Sequence, residues 1–338
     1  MQERINGRNL YYTFLAGAQK IIENQAEINR LNVFPVADAD TGTNMASTIR
    51  TIVDSLTPDP SFKITVDAIG VAALSGARGN SGIIFAQFLY GFSEEVSDCD
   101  EITIDDFAES LKRSIRYLYE SVSNPVEGTI LTVIREWVEY IHLHRKSFDS
   151  FPNMFTESYE AAKKSLSETT QKLKILAKSN VVDAGAKGFV VFLEGMLELI
   201  KTRNIKEIIQ LSGALQAVSV KEEIPVEYPE FRYCTEAMLE GDNFSKQDLM
   251  SFLEGYGNSV VVAGSKRKQR IHVHTNDPAS IFSELGKSTR IISQKVEDMV
   301  RQYESAHKRK YNIALVTDST CDLPDNVLRE FQVYPVAI

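Results

Sequence analysis

Cysteine is scarce, with Cys99, Cys234 and Cys321 the only three in 338 residues. Odd in number and far apart, they exclude a disulfide framework and fit a reducing compartment. Long apolar runs are missing as well. No window approaches the roughly 18 residues of a membrane span, and the opening Met1-Gln2-Glu3-Arg4 carries no signal-peptide stretch. These absences predict a soluble, cytoplasmic protein. Nor is there an excess of positive charge. The net charge is −9, and up to residue 200 there are 19 basic against 27 acidic side chains. So acidic a region argues against a nucleic-acid surface, and a polyphosphate there would be held through metal ions and backbone amides. With 43% hydrophobic residues, 18 Gly and 10 Pro, the chain is neither low-complexity nor collagen-like. Its length allows about two domains or three.

Helical periodicity dominates the first 203 residues. Leu10, Phe14, Leu15, Ala18, Ile21 and Ile22 form one face; Phe107, Leu111, Ile115 and Leu118 a second; Ile130, Leu131, Ile134, Trp137, Val138 and Ile141 a third. Segments near 42–56, 65–76, 80–93, 152–173 and 186–202 read alike, predicting about eight helices and no strand. A linker with Pro225 and Pro229 follows. Short β-branched runs at 259–263 and 270–275 then predict a mixed α/β domain beginning near residue 224. A strand at 313–316, a helical pattern and the start of a second strand close the chain at Ile338. This last segment falls below the ~40 residues an unaided domain needs, which predicts a fragment of a longer protein or a segment docked elsewhere.

The densest polar cluster is NVFPVADADTGTNM, where Asp38 and Asp40 stand beside Thr41, Thr43 and Asn44. Alternate residues of an extended segment point the same way, so both carboxylates can reach one hard cation, and the helix that follows offers free N–H groups to an anion. The same residues also read as a helix N-cap with first-turn acids. A second cluster, SGARGNSG, holds Ser75, Gly76, Asn80, Ser81 and Gly82, a loop that can bring amides to phosphate oxygens. Its structural alternative is a turn with Gly76 at C′ and Asn80 as N-cap. NPVEGT, with Gly128 and Thr129, and NVVDAGAKG, with Asp183, Gly185 and Lys187, open two more helices. Helices alternating up and down would gather such junctions at one end, around one ligand. Further on, Ile271-His272-Val273-His274 puts two imidazoles on one face of a strand. With Cys234 pairing beside them they would form a Cys-His-His set suited to tetrahedral zinc with one open position. A solvent-facing histidine pair is the alternative, since no CxxC accompanies it. His142 and His144, at a helix end, read as surface residues.

In this order, NVFPVADADTGTNM, SGARGNSG, PVEGT and DAGAKG closely resemble the nucleotide-binding domain shared by the dihydroxyacetone kinase L subunit (DhaL) and bacterial fatty acid kinase. The resemblance implies a multidomain chain. Residues 1–205 would be an all-α, eight-helix barrel that binds ATP and Mg2+, residues 206–308 a mixed α/β central domain, and residues 311–338 a truncated α/β start of a DegV-like domain. It implies Asp38 and Asp40 as catalytic, magnesium-binding carboxylates, with Asn32 near the place of a further polar ligand. Thr43, Asn44, Ser81 and Gly82 would lie near the phosphates, with Thr41, Ser75, Gly76 and Asn80 also binding the cofactor. Gly185 and Lys187 would lie near the nucleotide end, and Gly128, Thr129 and Asp183 complete the cofactor-binding set. FRYCTE and HVHTNDP look like the zinc-binding central domain of fatty acid kinase, which gives Cys234, His272 and His274 to Zn2+. IALVTDSTCDLP resembles the opening of DegV-type fatty-acid-binding proteins and covers only the start of that family, so Thr317, Asp318 and Ser319 would lie near an acyl carboxylate only with the remainder of that domain present.

Two departures stand out, because the family usually has Pro where this chain has Ala37 and Gly where it has Ala39. A turn needing φ > 0 at residue 39 would strain alanine by about 1 kcal/mol or more, which would alter the metal geometry and lower activity. The function implied is a kinase that converts a fatty acid, presented by a DegV-type carrier in trans or in a missing C-terminal part, to an acyl phosphate, in a chain that forms a homodimer. Its rivals are a dihydroxyacetone kinase-type phosphotransferase and a non-catalytic nucleotide- or lipid-binding adaptor.

Overall fold

The computed structural model describes residues 3–35, 39–202, 228–241, 243–318 and 320–336; Ala37, Asp38, Ser319 and the expected linker up to Pro225 lie outside them. The N-terminal region forms α1 (Gly7–Glu23), α2 (Gln25–Arg30), α3 (Thr41–Ser55), α4 (Phe62–Gly76) and α5 (Gly79–Glu95). It continues through α6 (Ile104–Tyr119), α7 (Ile130–His144), α8 (Phe151–Lys172), α9 (Lys174–Ser179) and α10 (Ala184–Thr202). All but α2 and α9 run to 15–22 residues, which are the eight periodic segments of the sequence. The expectation of no strand fails. β1 (Arg4–Asn6) and β2 (Glu101–Thr103) pair antiparallel, with buried Ile5 facing buried Ile102, and three residues are too few to show alternation.

Capping sets the first helix. The Asn6 side chain accepts from the Asn9 amide and the Asn9 side chain from the Asn6 amide, a reciprocal box that satisfies two orphan donors. Consecutive long helices then pack on one another, and α10 returns to pack on α1, α3, α7 and α8. The α1–α10 contact is close because both helices carry glycine there. A Cβ on Gly195 would fall 2.4 Å from the Ala16 carbonyl oxygen, and one on Gly17 would fall 2.6 Å from the Phe192 ring. Phe14 and Phe192 meet edge to face at 5.2 Å beside them.

The next domain begins with β3 (Tyr233–Glu240) and α11 (Lys246–Glu254), followed by β4 (Gly257–Gly264), β5 (Lys268–Thr275), α12 (Pro278–Gly286), β6 (Arg290–Asp298) and α13 (Met299–His307). Its sheet has the order β4-β5-β3-β6 and is antiparallel throughout. Ala237, Leu239, Val262, Ile271 and Val273 fill one core with α11 and α12. On the opposite face, Val261 and Ala263 join the core of the helical domain. What receives them is α5, with 13 of its 17 residues buried, as expected of a helix apolar nearly all round.

Two further links fix the sheet to the helices. Residues 121–123, between α6 and α7, lie along β4 like another strand: the Val262 amide donates to Ser121 O at 2.9 Å, and Val122 bridges Val261. The buried Gln87 side chain of α5 accepts from the Gly264 amide at 2.7 Å. The C-terminal segment forms β7 (Val316–Asp318), α14 (Asp325–Glu330) and β8 (Tyr334–Val336), with β7 parallel to β8. The strand expected at 313–316 therefore starts three residues later, and Ile313 and Leu315 are exposed.

The α1–α10 approach has a testable cost. Gly195→Ala should destabilise the protein by about 2 kcal/mol or more in urea unfolding, because the colliding atom is backbone and cannot rotate away. An exposed substitution such as Leu143→Ala, outside the core, serves as the neutral control.

Candidate functional site

Two adjoining cavities open where the helical junctions meet the sheet. The first is lined by Asn32, Asp40, Thr41, Asn44, Gly79 and Ser81 on the helical side and by Cys234, Glu236, His272 and His274 on the sheet. The second shares Phe34, Pro35, Asn80 and Ser81 with it. From there it runs past Thr129, Ile130, Leu131 and Asp183 to residues 258–261 of β4. All four polar junctions of the sequence thus contribute to one connected space.

Asp40 stands at the N-cap position of α3, yet its side chain makes no capping bond. Its Oδ2 instead accepts from Asn44 Nδ2 at 2.7 Å, so the simple N-cap alternative does not describe it. Buried Thr41 donates to Asn32 Oδ1, which ties the start of α3 to the segment before the turn. Asp38 falls outside the described residues. Ala39 adopts φ 55°, the left-handed conformation that alanine resists by about 1 kcal/mol. The turn needs the backbone for which glycine is suited. Thr43 is not turned to the cavity: its hydroxyl accepts from Gln25 and Asn29 of α2, each at 3.0 Å.

In the second junction the expected caps move. Gly76 is the last residue of α4 and packs against Thr51, and Arg78, not Asn80, is the N-cap of α5. Gly79 has φ 57°, and a Cβ there would lie 2.3 Å from Asn44 Nδ2, so glycine is required twice over. Asn80 lines both cavities, and its buried Oδ1 has no hydrogen-bond partner among the described residues. Gly82 packs on Thr48. Ser75 lies outside the cavities, exposed, with its hydroxyl on Val71 O.

The last two junctions meet at the second cavity. Gly128, at φ 85°, turns the chain into α7, and Thr129 follows at its N-cap. Asp183 is buried and accepts from the amides of Ala186 and Ile130, joining the starts of α10 and α7. Gly185 lets α10 approach Ser81, whose hydroxyl would be 2.8 Å from a Cβ there. Lys187 points away, paired with Glu27 at 2.8 Å.

On the sheet, Cys234 pairs with His274 and Glu236 with His272 across β3 and β5. One ligand atom each from Cys234, His272 and His274 falls within 4.8 Å of the others, and Cys234 Sγ lies 3.7 Å from His272 Nδ1. Both imidazoles are buried, which corrects the solvent-facing alternative: the sheet face that carries them is covered by α5 and its N-terminal junction. His272 Nε2, buried, has no partner among the described residues. A thiol and two imidazoles of which one nitrogen is orphaned make a donor set that fits a zinc ion. His142 and His144 lie elsewhere, on α7.

Sequence reasoning missed Glu236 and Arg270. Glu236, 2% exposed, accepts from Gly79 N at 2.8 Å and from Arg270 Nη2 at 2.8 Å, and its Oε1 lies 3.2 Å from His272 Nδ1. Burial alone would raise its carboxyl, but His272, Arg270 and the Gly79 amide hold it down at about 2. Burial opposes charge on His272, yet Cys234 and Glu236 outweigh it and hold the imidazole up at about 10. Burial, with the His272 charge beside it, pushes His274 down to about 3. Glu236 was within reach of the sequence, standing two residues from Cys234 and therefore on the same strand face.

The DAK2 domain family matches residues 35–198, and the family of FakA-like fatty acid kinase middle domains matches residues 230–306. Protein YloV of Bacillus subtilis is 31% identical over 314 residues, covering 89% of this chain and 57% of YloV. An uncharacterized Staphylococcus epidermidis protein is 31% identical over 320 residues, covering 92% and 58%. The chain thus spans a little over half the length of these curated relatives. Among solved structures, dihydroxyacetone kinase of C. freundii in complex with AMP-PNP and Mg2+ aligns with TM-score 0.44 at 16% identity, over 59% of this chain and 35% of that one. The native form of that enzyme aligns with TM-score 0.45 at 18% identity over the same shares.

Burial pushes the Asp183 carboxyl up from the ordinary 3.8 to about 6, offset in part by the two amides it accepts from. Between these values the unfolded chain releases the proton before the folded one does, so folding stability falls as pH rises. Asp183→Asn keeps an oxygen for the amides and removes the titration. Relative to the unmodified protein, it should gain stability between pH 4 and pH 7, by up to roughly 3 kcal/mol. Thermal unfolding of both proteins at the two pH values checks this; parallel pH dependence would contradict it.

Proposed function

The chain is a DAK2-type protein with a fatty acid kinase-like middle domain, and from this we propose that it is the kinase component of a fatty acid kinase. The reaction is transfer of the γ-phosphoryl group of ATP to a fatty acid carboxylate presented by a DegV-type carrier. One observation carries the reading: a single cavity faces Asp40, Asn44 and the Gly79–Ser81 backbone on one side and the Cys234, His272 and His274 set on the other. A phosphoryl donor and an acceptor can meet there.

In the transfer, a carboxylate oxygen attacks the γ-phosphorus, the bond to the β-phosphate oxygen breaks, and ADP leaves. A carboxylate is already ionised at neutral pH, so no protein base has to take a proton, whereas the hydroxyl of dihydroxyacetone would require one. The work left to the protein is positioning and charge neutralisation. Asp38 and Asp40 would hold magnesium, which neutralises phosphate oxygens when bound. Cys234, His272 and His274 would hold zinc, which would supply positive charge on the sheet side of the cavity when bound. Asn80 and Ser81 stand where the two cavities join and orient the phosphate chain. Glu236 fixes the Gly79 amide and the His272 ring relative to one another. One observation favours the adaptor reading instead: the strained Ala39 beside the metal-binding carboxylates.

Labelled γ-phosphate from Mg-ATP should appear on oleate only with a DegV-type carrier, and not on dihydroxyacetone. Asp40→Ala should lower the rate about 100-fold or more. Transfer to dihydroxyacetone would replace the acceptor assignment, and full activity of Asp40→Ala would remove the metal assignment.

For the zinc reading, the purified protein should carry about one zinc per chain, lost when His272→Ala and His274→Ala are combined. Equal metal content in the two proteins would sink it.

A further inference from the structure

Glu236 touches three groups at once, two on the sheet and one on the helical domain. Its Oε1 accepts from the Gly79 amide at 2.8 Å and lies 3.2 Å from His272 Nδ1, while its Oε2 accepts from Arg270 Nη2 at 2.8 Å. Both side chains of the Glu236–Arg270 ion pair are buried. Strand alternation puts Glu236 on the face that carries Cys234, and the register sets it opposite His272. Yet Glu236 is not a member of the Cys234, His272 and His274 set whose ligand atoms lie within 4.8 Å of one another. The carboxylate therefore touches a metal-binding imidazole without being a ligand itself.

His272 turns one ring nitrogen to that carboxylate, and the other, Nε2, is buried with no partner among the described residues. A hydrogen bond donated from Nδ1 to Glu236 leaves the Nε2 lone pair for a metal and stops the ring from turning over. Cys234 Sγ also lies on the Nδ1 side, at 3.7 Å, so a metal bound through Nδ1 is the alternative. A carboxamide cannot replace the carboxylate here. Donors from Gly79, Arg270 and His272 converge on its two oxygens, and the NH2 group of glutamine would meet one of them donor to donor. We propose that Glu236 is the positioning residue of the metal set, aiming His272 Nε2 at the zinc, and that the Gly79 amide on the same oxygen makes the start of α5 part of that support. The inference rests on the zinc reading above. By linkage, a bound zinc ion tightens the contact between β3 and α5 by the same factor as that contact tightens zinc.

The test uses the full chain and zinc ion itself, titrated against a competing chelator. Glu236→Gln should weaken zinc binding about 10- to 100-fold. Combining it with Arg270→Gln removes a guanidinium that would otherwise be buried without its carboxylate, and this paired variant should fold and show the same loss. A purely structural ion pair gives a different result, altered stability with zinc affinity unmoved. Two readouts need no variant. NMR of isotope-labelled histidine rings in the zinc-loaded chain should show His272 metallated at Nε2 with the hydrogen kept on Nδ1, and hydrogen exchange at residues 78–80 should be slower with zinc than after chelation. Unchanged zinc affinity in the folded variants, metallation at Nδ1, or equal exchange in the two states overturns the inference and leaves the zinc reading standing. Absence of zinc binding by the unmodified protein overturns the zinc reading and this inference with it.

Discussion

Docking of the antiparallel sheet onto α5 is the constraint on which the site depends. Val261 and Ala263 enter the helical core, and Gln87 and residues 121–123 satisfy backbone groups of β4. Glu236 reaches from β3 to the first amide of α5. These contacts are of different kinds, apolar burial and buried hydrogen bonds, and they act at separate points along one helix. Slippage of the sheet would bury unpaired polar groups, which is what gives the arrangement a single register.

The consequence is that neither domain owns the site. Helical junctions bring Asp40, Asn80, Ser81 and Asp183 to one end of the bundle, and the sheet brings Cys234, His272 and His274 to the same space. Glu236 is the hinge of this geometry: buried, it bonds Arg270, stands beside His272 and accepts from Gly79, whose neighbour Asn44 bonds Asp40. The sheet side and the helical side of the cavity are thus connected through packed, hydrogen-bonded groups, the physical requirement for one to sense the other.

Strain collects at the same place. Ala39, Gly79 and Ser259 adopt left-handed backbone conformations around the two cavities. At Gly79 the residue type matches the need, while at Ala39 and Ser259 a side chain sits where glycine fits better. The surrounding packing must hold these turns.

Much of this was legible in the sequence. Helical faces were visible because a buried stripe must repeat every 3.6 residues, and the shared face of His272 and His274 because strands alternate with a period of two. The four junction motifs carried the family likeness, and the need for φ > 0 at residue 39 followed from the glycine usual there. What the linear order could not contain is what comes to lie opposite what. Burial of the histidines, the reach of Glu236 to Gly79 and the wall that β4 adds to the second cavity were decided by the docking, and the turning of Thr43 and Lys187 toward α2 by packing within the helical domain. Periodicity reports the face of an element and is silent on its partner; contacts between residues more than a hundred positions apart exist only once the two layers close.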